Sequence, residues 1–179
     1  MTSFVVLLLL AQAGAQPTDS AVGPPRPAIT IHEADAPGVR VFFLNIPWGP
    51  ETFAAMERAG EGYYNRRSWP FARMETAKPL RIGETALPAD NYALVFHPNT
   101  PKDEGMSFEV RKIAPGEFLQ AGNVMTPTPE GETLWRAPVA FDTTETTVPA
   151  LEIEVLLGPS AVRLHIRYGN RATQAVFNR

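Results

Sequence analysis

Eighteen prolines are scattered along this chain of 179 residues, roughly twice the usual share of about 5%. Proline lacks a backbone N–H and breaks the interior of a helix. The prolines fall between short apolar runs, which leaves little room for long helices and favours short strands joined by turns. The runs are 29–32, 39–46, 71–76, 92–97, 106–113, 133–141, 151–157, 162–168 and 173–177, and they are rich in β-branched and aromatic residues. Runs of this length, with Gly, Pro, Asn and Asp between them, point to an all-β fold: an antiparallel β-sandwich or partly closed barrel of about nine strands.

One segment has a different period. Residues 50–59 open with Pro50 and Glu51 and are followed by Gly60, the order of a helix start and a C-terminal cap. Phe53, Met56 and Ala59 recur at spacing three, so the short helix is expected to pack one face on the open edge of a sheet. At the C-terminal end the apolar phase is odd in Leu151, Ile153, Val155 and Leu157 and even in Val162, Leu164, Ile166 and Tyr168. A turn at Gly158-Pro159-Ser160-Ala161 then pairs residues whose numbers sum to 319. Glu154 faces His165 and Glu152 faces Arg167 on the side away from the core, as surface contacts. Leu156 opposite Arg163 breaks that polar phase and suggests a partly covered outer side.

Hydrophobic residues make up 44% of the chain and charged residues 20%, a composition that folds. Cysteine is absent, which removes disulfides, thiolate metal sites and thiol nucleophiles together. The net charge of −3, without a run of like charges, lacks the footprint of a nucleic-acid binder. Residues 4–11 are almost wholly apolar and Ala13-Gly14-Ala15 follows as a small-x-small cleavage pattern, so residues 1–15 read as a signal peptide. The n-region carries no Lys or Arg. The apolar stretch is too short to span a bilayer, and the mature chain is expected to have no transmembrane anchor. Residues 16–27 are a Pro-rich linker and 28–179 a single β domain, exported to the periplasm or the extracellular space.

No motif carries a chemistry by its spacing. His32, His97 and His165 are far apart and form no metal-ligand pair. None of Ser20, Ser68, Ser107 and Ser160 stands in a Gly-x-Ser-x-Gly elbow. The glycines at 60, 62 and 83 form no phosphate loop, and a chain with 19 acids always offers carboxylate pairs. Catalytic, metal and cofactor residues are therefore assigned to none. The densest recognition-like segment is Tyr63, Tyr64, Arg66, Arg67 and Trp69, which joins stacking faces to guanidinium groups able to hold an anion. Aromatics beside a loop more often plug the end of a core, so packing is the first reading of this segment and ligand binding the second.

The stretch Ile82-Gly83-Glu84-Thr85-Ala86-Leu87-Pro88-Ala89-Asp90-Asn91-Tyr92-Ala93-Leu94 reads as two turns leading into a buried strand. It resembles the Ile-Gly-x-x-x-Leu-Pro-Ala-Gly-x-Tyr-Ala-Leu signature of the secreted bacterial family termed domain of unknown function 2911. Trp69, Glu75 and Thr76 resemble that family's upstream block, and Phe108-Glu109-Val110 its Trp-centred strand. Pro70, Ala72 and Met74 replace its Arg, Gly and Asn, and Asp90 replaces its Gly. The resemblance implies export and a β fold and assigns no activity. The function expected is an exported non-enzymatic envelope or secreted module binding a small molecule, glycan or protein through loops. The alternatives are a carbohydrate- or peptide-directed hydrolase using dispersed carboxylates, and an assembly subunit pairing through an edge strand.

Overall fold

The computed structural model describes residues 30–57, 68–98, 105–113 and 131–179. Twelve strands and one helix lie among them, in the order β1 (Ile31–Ala36), β2 (Val39–Leu44), α1 (Pro50–Glu57), β3 (Trp69–Thr76), β4 (Leu80–Ile82), β5 (Thr85–Leu87), β6 (Asn91–Pro98), β7 (Met106–Lys112), β8 (Thr133–Val139), β9 (Asp142–Thr143), β10 (Glu152–Leu157), β11 (Ala161–Tyr168) and β12 (Arg171–Asn178). Each of the nine expected runs overlaps a strand, although the first strand runs Ile31–Ala36 where 29–32 was expected. Three short strands, β4, β5 and β9, raise the count from nine to twelve, because two or three residues carry too little periodicity to be seen. The signal and linker residues lie outside the described part.

The strands form two antiparallel sheets. Sheet one runs β1-β2-β3-β6-β7-β8, and sheet two runs β10-β11-β12-β4-β5 with β9 paired to β12. Their inner faces enclose one large core that includes Val41, Phe71, Met74, Leu94, Phe96 and Val110 from the first sheet and Leu164, Ile166 and Phe177 from the second. Each large apolar side chain taken out of water there contributes about 1.5–3 kcal/mol. The sandwich is partly closed at one edge. Beyond β2 the chain pairs with the approach to β10, Trp48 N–H donating to the Pro149 carbonyl at 2.8 Å and Leu151 N–H to Ile46 at 2.9 Å.

Prolines sit where a ladder tolerates them. Pro138 lies on β8, the last strand of its sheet. Pro70 opens a register shift between Pro70 and Ala72, and this bulge brings both Trp69 and Phe71 against Phe96. The β10–β11 hairpin has the expected register: Glu154 opposite His165, Glu152 opposite Arg167, and Leu156 opposite Arg163. Gly158 N–H closes the turn on the Ala161 carbonyl at 2.8 Å. The expectation of a partly covered outer side is corrected, since Leu156 is 44% exposed and Val176, in the same cross-strand row, is also exposed.

Candidate functional site

Antiparallel pairing places Gly38 between β1 and β2, the end of β3 and the start of β6 at one end of the first sheet. The turns there enclose a groove of about 420 Å³. Five of its eight lining residues are polar, Arg40, Glu75, Thr76, Asp90 and Asn91, with Gly38, Ala77 and Ala89 between them. Arg40, Glu75 and Asn91 are successive cross-strand partners on β2, β3 and β6, and Asp35 on β1 continues the row. Directly opposed residues share a face of a sheet, so the row lies on the side away from the core.

The charges in the groove are held in pairs. Arg40 Nε lies 2.7 Å from Glu33 and its Nη1 3.5 Å from Glu75, which also meets Arg73 at 3.1 Å. Arg40 and Arg73 both lie over the Phe42 ring, at 4.8 and 4.4 Å from its centre, within cation–π range. Asp90 meets Lys112 Nζ at 2.8 Å and accepts the Asn91 N–H at 2.9 Å. The Lys112 ammonium, then that N–H, hold the Asp90 carboxyl below its ordinary range. A general acid needs a carboxyl kept protonated near neutral pH, and Asp90 is driven the other way.

A second polar cluster crosses the outer face of β6, β7 and β8. Glu109 is 2% exposed, its Oε2 held by Arg111 at 2.6 Å and its Oε1 facing Arg136 at 3.3 Å. Nearby, Ser68 Oγ and His97 Nδ1 are 2.8 Å apart. Burial pushes the His97 pKa down, against the pull of Glu109. The ring is therefore neutral at pH 7, and the tautomer decides which partner donates.

Of the five residues singled out in the sequence, only Trp69 lies within the described part. It packs on Tyr168, Phe96 and Phe71, with ring centres 5.2, 5.7 and 6.3 Å apart, at the end of the sandwich opposite the groove. Tyr63, Tyr64, Arg66 and Arg67 lie outside the described residues. The groove was missed because its residues come from three turns distant in sequence. Only the cross-strand register, unread for β2, β3 and β6, signals their proximity. Among the described residues no three His, Asp or Glu side chains gather as a metal ion needs, and no helix is long and apolar enough to cross a membrane. No family model, curated protein or solved structure matches the chain.

Proposed function

We propose that the protein is an exported, non-enzymatic module that binds a small polar ligand at the turn end of its sandwich. The groove carries this reading: it is open, carries ionic and amide side chains and is built by turns at the end of a sheet, where binding sites are commonly placed. Its carboxylates stand in ion pairs, which suits recognition better than proton transfer. Export is supported by the apolar 4–11 stretch with its cleavage pattern, and by the resemblance of residues 82–98 to a secreted family. The test is a thermal-shift screen of the mature chain against sugars, amino acids, organic acids and short peptides. A ligand that prefers the native state raises the melting temperature, and Arg40→Ala should abolish the shift. A shift left intact by Arg40→Ala and Asn91→Ala would move the site elsewhere.

One contact favours a second reading, hydrolysis, because Ser68 Oγ on a neutral His97 is the start of a nucleophile–base pair. Labelling by a fluorophosphonate, lost in Ser68→Ala, would support it. The absence of label would remove the support for Ser68 as a nucleophile.

A further inference from the structure

The row of groups in the groove restricts the ligand further, on the reading that this groove is the binding site. Across β2, β3 and β6 it presents a donor, an acceptor and a group that is both: the Arg40 guanidinium, the Glu75 carboxylate and the Asn91 carboxamide. Asp90, beside Asn91, adds another acceptor. Arg40 has five N–H donors, and its ion pairs engage Nε and one Nη, at a side chain that is 54% exposed. A small anion entering here meets two carboxylates; a small cation meets Arg40. A hydroxyl group donates to the carboxylates and accepts from the guanidinium, so a neutral ligand bearing many hydroxyls suits every member of the row.

We propose that the groove binds a neutral glycan chain laid across β2, β3 and β6. Neighbouring strands are about 4.8 Å apart, so the row repeats its polar groups at a spacing comparable to that of the sugar units of an extended chain. Among the described residues, the lining holds no aromatic ring on which a sugar could stack. Contact is then by hydrogen bonds, each of small net worth in water, and affinity belongs to the weak range, with Kd on the order of 0.1–1 mM.

The test is titration calorimetry of the full mature chain with malto-, cello-, manno- and chitohexaose, repeated on Asn91→Ala and Arg40→Ala. Both variants change exposed or half-exposed side chains, and an unchanged melting temperature confirms their folding. Binding of at least one hexasaccharide, weakened about tenfold by each variant, is expected. Glycan binding indifferent to both variants overturns the proposal. Failure of all four hexasaccharides at millimolar concentration also overturns it, and a parallel titration with amino acids, organic acids and short peptides then separates the two levels. If one of these binds and is lost in Asn91→Ala, the groove remains a site for a different ligand. If none binds, the binding-module reading fails as well.

Discussion

Glu109 and His97 show how a polar residue inside a β protein is stabilised by its neighbours across the strands. Glu109 is buried but shares its charge with two guanidinium groups, Arg111 and Arg136. Removing one member of such a set leaves the other charges uncompensated. Because Arg136 reaches solvent, Glu109→Ala should cost about 1–3 kcal/mol in urea denaturation rather than more. A loss below the error of the measurement would show that the cluster is solvated. His97 gives a pH dependence. Its folded pKa is depressed below the ordinary 6.5 by burial, so the unfolded chain takes up its proton first as pH falls. The stability contributed by neutral His97 is present above 6.5 and is lost as pH drops from there through the folded value. The melting temperature should fall between about pH 7.5 and pH 5.5, and His97→Gln should flatten that slope. An identical slope in the variant would assign the proton uptake to other groups. Asp90 adds a separate acid limit. Its lowered pKa gives stability that is complete above its ordinary value of 3.8 and lost below it as the Lys112 pair is neutralised.

Among the elements, the end of the sandwich opposite the groove depends on aromatic packing around α1. Phe53 of α1 contacts Trp48 and Phe141 in the connecting segments and Tyr168 of β11, so the helix packs on an aromatic cluster at the sandwich end rather than on one open edge. Trp69 completes the cluster, and Trp69→Ala should destabilise by about 3 kcal/mol, in the range of large aromatic deletions. The β11–β12 turn is tied to the same cluster. Gly169 has φ +63, and a Cβ there would lie 2.0 Å from Trp48. Gly169→Ala is thus strained in backbone and side chain alike, and a loss of about 1–3 kcal/mol is expected on chemical unfolding. A neutral result would mean that Trp48 moves aside freely. In the β10–β11 hairpin the opposite holds: Leu156 faces solvent, and Leu156→Lys should change stability by less than about 0.5 kcal/mol. A large loss would show that something covers that face.

At the scale of the whole molecule, the twelve strands found among the described residues form two sheets whose two ends differ in chemistry. One end is aromatic and closed by α1; the other is polar and grooved. If the protein is exported, N-terminal sequencing of the mature form should find residues 1–15 removed, with Gln16 first. A mature chain beginning at Met1 would refute the signal peptide.

Fold class was legible in the sequence because strand formation depends on local patterns. Alternation in 151–157 and 162–168, with one turn between them, was enough to set the register of the last hairpin residue by residue. The nine longer strands and α1 were legible for the same reason. The short strands β4, β5 and β9 and the exposure of Leu156 were not, since they depend on what packs beside them. The groove and the Glu109 cluster were decided by tertiary structure alone. Arg40, Glu75 and Asn91 are neighbours only through the pairing of β2 with β3 and β3 with β6, and Ser68 meets His97 across 29 residues. Local pattern determines which segments become strands, whereas long-range pairing determines which side chains meet, and the candidate site is made of such meetings.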